Sequence, residues 1–476
     1  MTIELLLSHA DTHAPVLETG LEVESLRGFP PLVRRAKRSK YLRSRPGDPN
    51  DLRLQRWGLI VPKGEEGQRL LKLIEPLRKH REREQHGHIV KVFEAHRGID
   101  QDAALRWLKE NLEAEDLEEE ERPGYLLILG DLDTISLELQ VELSHEAFVG
   151  RLAFPTDDGY RAYVDKVLRW AEQPCSARHA RPLFYTAKDG SAATRLGHDL
   201  LIQPCVTTSF ERQAKGLQRM QPPMSWVETG DGPGTAVERF LRFASVTAPS
   251  VLFSLSHGMG LPSSGAWASA EEQRAQQGAL VLPKDQVLTS KAVASGAFLP
   301  GGVWFGLACF SAGTPVNSIY ATLLQDLSTL HPSVARFAGT PLHEPGGRPF
   351  IAALPQAALA NPEGPLAVVG HVDLAWTTSF NEQGISKHKR FREVIETIGH
   401  RHRVGLALAP LHDIARQLGR RQATSSLDAY KARKSKRRAR DSDSDHAFDW
   451  LQIFDLSSYV LLGDPAVHLP LVAPPS

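Results

Sequence analysis

Short strand-like runs, most of them apolar almost throughout, alternate along the chain with longer stretches of helical periodicity. The apolar runs lie at residues 57–61, 88–93, 125–130, 182–187, 250–256, 303–307 and 365–370. Between them, apolar residues recur every three to four positions, as Leu70, Ile74 and Leu77 do. Strands that are apolar almost throughout are typical of a parallel sheet covered on both faces. The pattern predicts an α/β fold with a mostly parallel sheet and helices on both of its faces.

Three segments depart from this alternation. Residues 1–55 are rich in Lys, Arg and Pro without a clear period, which indicates a basic N-terminal extension or docking segment. Residues 113–122 form an acidic run that suits a solvated helix end. Residues 424–447 combine seven Lys and Arg residues with an acidic run and few apolar ones, so a flexible loop is expected there.

Composition narrows the class of protein. The 476 residues contain 56 Lys plus Arg and 56 Asp plus Glu, so no net field attracts nucleic acid or an anionic membrane. The three cysteines form no CxxC pair, which favours a reducing compartment over a disulfide framework. The sequence begins without a basic flank and long apolar core, and no run of 18 apolar residues follows. These features predict a cytoplasmic protein without a membrane partner.

Cys309 stands where an apolar strand breaks into small residues and turn formers. The strand at 303–307 is followed by Ser311, Gly313 and Pro315. Loops at the carboxyl ends of such strands form a crevice in open α/β sheets, where a thiol can meet a ligand. The alternative is a buried core cysteine, because free cysteine is among the most buried residue types.

A second candidate follows the preceding strand. His257 lies 52 residues before Cys309 and is followed by Gly258 and Gly260. An imidazole near a thiol can take its proton, which produces the thiolate that attacks a carbonyl. The glycines allow close backbone approach, and their N–H groups can donate to an oxyanion.

The segments SLSHGMG, LACFSAG, VVGHVDLAW and YVLLGDPAVHL resemble, in this order, landmarks of the caspase-like cysteine peptidases, in particular gingipain-type and CHAT domains. Caspases separate their His and Cys by about 50 residues. The resemblance covers roughly residues 56–470. It implies a caspase-hemoglobinase-like three-layer sandwich with two α/β subdomains. A pro- or pseudo-catalytic subdomain would span 56–235, and a catalytic one 236–476.

The same resemblance assigns roles to residues. Cys309 becomes the nucleophile and His257 the acid/base, while the backbone N–H groups of Gly258 and Cys309 become the oxyanion donors. Asp373, just beyond the strand at 365–370, could pair with a basic P1 side chain, and Asp131 and Asp133 are competing candidates. Each could instead be a solvated or capping aspartate.

The basic loop suggests a means of activation. Arg433, Arg437, Arg438 and Arg440 are candidate cleavage sites, either for the enzyme itself or for an upstream activating protease, as in a zymogen. The alternatives are a phosphate-binding patch and a plain solvated linker. Nucleic acid is not the expected partner.

Other chemistry fits less well. The glycines after His257 miss the dinucleotide-binding spacing, and Ser311 lacks the glycine that a serine nucleophile requires. HGH and HRH have no partners at zinc-ligand spacing, so no metal or cofactor is expected. The favoured function is an intracellular cysteine endopeptidase that acts on protein substrates, with a role in bacterial defence as one setting. The alternative is a catalytically silent interaction module of the same fold.

Overall fold

The structure is a computed structural model, and it describes residues 2–23, 47–173, 175–246, 249–328, 340–434 and 443–472. In these ranges the strands, in chain order, are β1 (Thr2–Ile3), β2 (Leu7–Ser8), β3 (Leu21–Glu22), β4 (Trp57–Pro62), β5 (Lys91–Ala95), β6 (Tyr125–Leu129), β7 (Phe148–Leu152), β8 (Arg181–Ala187), β9 (Met224–Glu228), β10 (Ser250–Leu255), β11 (His257–Met259), β12 (Leu280–Leu282), β13 (Gln286–Leu288), β14 (Val303–Leu307), β15 (Gly313–Thr314), β16 (Phe350–Ile351), β17 (Ala367–His371), β18 (Asn381–Glu382), β19 (Ile385–Ser386) and β20 (Tyr459–Leu462).

The α-helices of the same ranges are α1 (Leu52–Gln55), α2 (Glu65–Leu73), α3 (Glu75–Glu84), α4 (Gln101–Asn111), α5 (Leu137–Leu143), α6 (Asp157–Glu172), α7 (Ala192–Gly197), α8 (Gln203–Ala214), α9 (Ala236–Ala244), α10 (Ala270–Gln276), α11 (Ser290–Val293), α12 (Ala321–Ser328), α13 (Ala353–Ala360), α14 (His388–Gly399), α15 (Val404–Ala407), α16 (Ala409–Lys434) and α17 (Asp443–Ser457). A π-helical segment, His198–Ile202, joins α7 to α8. A 3-10 turn covers Thr377–Ser379.

Within the described chain, ten strands form the central sheet in the order β5-β4-β6-β7-β20-β17-β14-β10-β8-β9. Neighbouring strands are parallel, with one antiparallel pair, β17 and β20. The join between β20 and β7 is narrow, because it consists of a single register pair, Leu462 with Arg151. A smaller sheet, β13-β12-β11-β2, lies at the edge where β10 ends.

Helices cover both faces of the sheet. Alternate residues of a strand point to opposite faces. Ile60 of β4 belongs to a core cluster that it shares with α4 and α5, whereas Leu59 and Val61 belong to a larger cluster with α2, α3 and α6. In the other half of the sheet, α9 and α14 pack on opposite faces. Phe240 of α9 contacts Tyr185, with ring centroids 4.7 Å apart, and Phe391 of α14 stacks on Phe253 at 5.8 Å. The predicted fold class is confirmed.

The sheet order shows how strands on the two sides of the predicted boundary at residue 235 pair. β8 and β9 hydrogen-bond on the far side of β10, so they belong with the strands of the later half. An apolar run such as 182–187 predicts a strand but does not indicate its neighbours. The subdomain boundary at residue 235 remains a prediction.

Two predicted irregular segments contain regular structure. Residues 2–23 carry β1, β2 and β3. α16 continues to Lys434 and α17 begins at Asp443, so residues 424–434 and 443–447 of the predicted loop are helical. Ala, Leu, Lys and Arg in 424–434 are good helix formers, which outweighs the scarcity of apolar residues there. Residues 24–46 and 435–442 lie outside the described residues.

Candidate active site

The carboxyl ends of β10 and β14 bring His257 and Cys309 to the same edge of the sheet. The two strands are parallel neighbours, with Leu255 opposite Leu307. His257 follows the end of β10 by two residues, and Cys309 follows the end of β14 by two residues. Both side chains are buried. Because the two strands are adjacent and end at the same level, they bring together two residues that lie 52 positions apart in the sequence.

The backbones of the two turns touch at Gly258. A Cβ atom built at this position would lie 1.9 Å from the carbonyl oxygen of Cys309, far inside van der Waals contact. Only glycine permits backbones to approach this closely. Gly258 therefore holds its own N–H group beside that of Cys309.

The His257 ring is held from one side by the turn after β8. Its Nε2 atom lies 2.9 Å from Oγ of Ser191 and 3.4 Å from Oδ2 of Asp189. Ser191 is the N-cap of α7, and its Oγ accepts the Thr194 N–H at 3.2 Å. Oδ1 of Asp189 accepts the Ser191 N–H at 3.0 Å and the Thr194 hydroxyl at 2.7 Å. This network fixes the plane of the imidazole.

The charges around His257 oppose the effect of its burial. Burial lowers the pKa of His257, while Asp189 and the Leu7 backbone act to raise it, and the net pKa lies below the usual value. For Asp189, burial acts to raise the pKa, but the His257 charge and the hydrogen bonds from Thr194 and Ser191 lower it overall. Nδ1 of His257 makes no hydrogen bond of normal geometry to the described residues. The ring is therefore oriented through Nε2.

Cys309 is a neutral thiol in this arrangement. Burial raises the pKa of Cys309 well above its usual value, and the charges of Asp373 and Asp455 act in the same direction. The Ala375 N–H donates to Sγ at 3.0 Å, which acts to lower the pKa. The thiol thus has one donor prepared for a thiolate, although the closed site disfavours the charge.

One carbonyl oxygen meets both predicted oxyanion donors. The Gly258 N–H donates to the Leu6 carbonyl at 3.0 Å, and the Cys309 N–H donates to the same oxygen at 3.2 Å. Two convergent backbone N–H groups beside a thiol are the geometry that acyl-transfer sites use for a carbonyl under attack.

Residues 4–8, called the cleft segment below, run through the site in an extended form. On one side, the Leu6 N–H donates to the Ala375 carbonyl at 3.0 Å and the Thr377 N–H donates to the Glu4 carbonyl at 3.0 Å. On the other side, β2 pairs in parallel with β11, and the Gly260 N–H donates to the Ser8 carbonyl at 2.8 Å. The cleft segment is buried along its whole length.

A buried carboxylate fixes residues 375–379, along which the cleft segment lies. Asp455 of α17 accepts the N–H groups of Trp376 and Ser379, both at 3.0 Å, and the hydroxyl of Thr378 at 3.1 Å. His371 of β17 pairs with the same carboxylate at 3.1 Å. Residues 375–379 are thereby anchored to both a helix and the sheet.

The candidate acid Asp373 uses both of its oxygens within the body of the protein. Oδ1 accepts the Ser318 hydroxyl and the Leu374 N–H, each at 2.8 Å, and Oδ2 accepts the Ile319 N–H at 2.8 Å. Burial raises the pKa of Asp373 to about 6, against the effect of these bonds. Its φ of +104° is unusual for a residue with a side chain. The side chain thus fixes the loop at residues 318–320.

The two competing acids lie at the turn after β6 and have partners there. Asp131 accepts the Ile351 N–H at 2.7 Å and pairs with Arg274. Asp133 pairs with Arg348 at 3.5 Å. Ile351 pairs with Gly313, so this turn approaches the segment that follows Cys309.

Of the activation candidates, one lies in a described helix and three do not lie in the described residues. Arg433 lies in the backbone of α16, and Arg437, Arg438 and Arg440 lie outside the described residues. Among the described helices, none has the length and apolar character needed to cross a membrane.

Sequence reasoning missed Asp189, Ser191, Asp455 and the whole cleft segment. Asp189 could have been found, because it follows an apolar run at a strand end, as Cys309 does. The cleft segment carries no such signal, because MTIELLLS is a short apolar run that suits any buried strand.

No family model matches the sequence, and no curated protein matches it. Solved structures of similar fold include one described as a protease, with a TM-score of 0.47 and 14% identity over 86% of this chain and 78% of that one. Another is the Arg-specific cysteine proteinase gingipain R, with a TM-score of 0.43 and 11% identity over 88% of this chain and 78% of that one. The separase–securin complex of Saccharomyces cerevisiae matches with a TM-score of 0.33 and 11% identity, over 76% of this chain and 17% of that one.

Proposed function

We propose that this protein is a cysteine endopeptidase in which Cys309 is the nucleophile and His257 the acid/base. The observation that carries the proposal is the Leu6 carbonyl oxygen, which accepts N–H groups from both Gly258 and Cys309. One of these two donors belongs to the residue that carries the thiol, and the other follows directly after His257, whose ring Asp189 and Ser191 orient. These are the parts that thiol-dependent acyl transfer requires.

The reaction proceeds in two stages. His257 takes the Cys309 proton as Sγ bonds to the peptide carbonyl carbon, and the negative oxygen is held by the Gly258 and Cys309 N–H groups. The C–N bond then breaks as His257 returns the proton to the leaving amine, which leaves a thioester. Water, deprotonated by His257, attacks the thioester and restores the thiol and a free carboxylate.

Three finer features remain predictions. Cleavage after Arg or Lys rests on an acid near P1, and Asp373, Asp131 and Asp133 all have partners in the structure described above. Activation by cleavage in residues 424–447, by the enzyme or by an upstream protease, rests on the basic sequence there. Action inside the cell rests on the low cysteine content.

The silent interaction module remains as a second candidate because the site is filled. The cleft segment is buried in the site, and burial raises the pKa of the Cys309 thiol, so both features disfavour attack on another peptide. Such a protein would bind partners without turning over peptides.

A fluorogenic peptide library separates the two functions. We expect the wild type, before or after limited trypsin treatment, to release fluorophore, and Cys309→Ala to lose at least about 10³-fold of that rate. Cys175→Ala, which removes a partly exposed thiol, is the matched control and should keep the wild-type rate. If Cys309→Ala and the wild type behave alike in both forms, the peptidase proposal is wrong and the interaction module stands.

A further inference from the structure

We infer that the cleft segment is a substrate-like peptide held in cis, and that the site accepts leucine as the residue whose carbonyl is attacked. This inference rests on the proposed function for its chemistry, but the occupancy itself is a matter of geometry. In peptidase terms Leu6 lies at P1, Leu5 at P2, Glu4 at P3 and Leu7 at P1′.

The hydrogen bonds on the two sides of Leu6 are those of a bound peptide. Residues 4–6 run antiparallel to residues 375–377, with Leu5 opposite Trp376. The chain then crosses the two oxyanion donors and continues as β2 beside β11. A strand added to a sheet edge, with alternate side chains in pockets, is a common mode of peptide recognition. No part of this path needs the segment to belong to the same chain.

The side chains of the cleft segment indicate an apolar site. Leu5, Leu6 and Leu7 are each at most 2% exposed, and all three belong to the main hydrophobic cluster. Gly260 leaves room for Leu7, because a Cβ atom there would lie 2.6 Å from Cδ1 of Leu7. Burial on this scale favours a large aliphatic side chain and disfavours a charged one.

Asp373, Asp131 and Asp133, the acids predicted to pair with an arginine at P1, all have partners within the protein. None of the three therefore offers an unpaired carboxylate to a side chain at the position of Leu6. Asp373 accepts hydrogen bonds from Ser318 and Ile319 of another loop and from its neighbour Leu374. A guanidinium in the place of the Leu6 side chain would need an unpaired carboxylate to offset its burial. The substrate class that the site favours is therefore an extended peptide with leucine at P1.

Attachment in cis makes the cleft segment an effective competitor. A tethered peptide acts at an effective concentration in the millimolar range, so an external peptide is excluded until the segment leaves. The intact chain is thus expected to be slow toward added peptides and toward reagents that attack Cys309.

The test compares the full chain with Leu5→Asp/Leu7→Asp, which places two charges in the buried positions and expels the segment. Iodoacetamide labelling of Cys309, followed by mass spectrometry of its peptide, measures access without requiring catalysis. We expect the double variant to be labelled at least tenfold faster than the wild type. Labelling of Cys175 serves as the internal control and should not change.

Turnover of two coumarin peptides, Ac-Ile-Glu-Leu-Leu-AMC and Ac-Ile-Glu-Leu-Arg-AMC, measures specificity in the same variant. We expect the leucine peptide to be cleaved at least tenfold faster than the arginine peptide, and excess Ac-IELLLS-NH2 to inhibit both. Equal Cys309 labelling in folded wild type and variant would overturn the cis occupancy, and faster cleavage after arginine would overturn the leucine preference.

The outcomes separate this inference from the proposed function. Faster labelling without any peptide cleavage supports the occupancy and contradicts the peptidase. If circular dichroism shows that the double variant is unfolded, the milder Leu7→Ala is used instead. It removes only one apolar contact and should still raise the labelling rate at least threefold; an unchanged rate in that variant counts against the occupancy.

Discussion

The turn after β6 and the turns after β10 and β14 are built from similar parts. Each follows a buried strand of one sheet, and the turns after β6 and β10 each contain a glycine beside polar residues. After β6, buried Arg151 donates to the Gly130 and Asp131 carbonyls at 2.8 and 3.1 Å, and the Asp131 carboxylate pairs with Arg274. After β10 and β14, the Gly258 and Cys309 N–H groups donate to the Leu6 carbonyl of the cleft segment.

The difference lies in what satisfies the polar groups. At the β6 turn the partners are side chains and turns of the folded body, so exchanging them would cost stability. At the turns after β10 and β14, the partner is a backbone carbonyl of an extended segment, which any peptide can supply. The end of a strand is therefore not sufficient to form a binding site. A binding site also needs hydrogen-bond donors whose partner can be replaced by a ligand.

The comparison predicts that activity depends on the close approach of the Gly258 and Cys309 backbones. Gly258→Ala introduces a Cβ atom 1.9 Å from the Cys309 carbonyl and must push the two oxyanion donors apart. We expect kcat/KM, measured on Ac-Ile-Glu-Leu-Leu-AMC in the variant with the expelled segment, to fall by at least about 10²-fold.

The matched control for this variant is Gly419→Ala in α16, where a Cβ atom would meet nothing within 4 Å. That change should leave kcat/KM within about twofold and stabilise the helix slightly, by about 0.5–1 kcal/mol. A Gly258→Ala protein that is folded and fully active would show that the two N–H groups are not the oxyanion donors.

A smaller effect is expected from the group that orients His257. Asp189→Asn keeps the shape of the side chain but removes the charge that raises the His257 pKa against the effect of burial. We expect kcat/KM to fall by about 10- to 100-fold. Because the His257 pKa then drops further, the acid limb of the pH profile should move to lower pH.

Asp199→Asn is the control for this prediction, because Asp199 is an exposed carboxylate ten residues further along the chain. It should change neither the rate nor the acid limb. A loss of rate in Asp189→Asn with an unmoved acid limb would mean that Asp189 shapes the turn and does not act through its charge.

The sequence carried enough to predict the sheet and the positions of His257 and Cys309, because apolar runs and the breaks after them are local signals. It did not reveal the neighbours of β8, since an apolar run is the same whichever strand it pairs with. Asp373 shows the same limit. Its place after a strand suggested a free acid, but its partners Ser318 and Ile319 come from a loop more than 50 positions away. The cleft segment was missed because its function arises only from contacts with residues 257–260 and 375–377.

The smallest expected effect concerns the charge of Asp373. Burial raises the pKa of this carboxyl to about 6 in the folded protein, from an ordinary value of 3.8. The folded state therefore binds the proton more tightly than the unfolded state, and the stability that this provides is present below about pH 4 and lost as the pH rises through 6. Relative to Asp373→Asn, the wild type should gain about 2–3 kcal/mol in free energy of unfolding between pH 7 and pH 4.

Urea unfolding at the two pH values measures this difference, and Asp133→Asn at the β6 turn is the control, with a change of about 1 kcal/mol or less at either pH. The same variants decide what Asp373 does at the cleft. If Asp373 only fixes the loop at residues 318–320, Asp373→Asn leaves the ratio of cleavage after leucine and arginine unchanged. If cleavage after arginine is present in the wild type and disappears in Asp373→Asn, the carboxylate faces the P1 side chain. The edge at β10 and β14 would then hold a second group whose partner a substrate can replace.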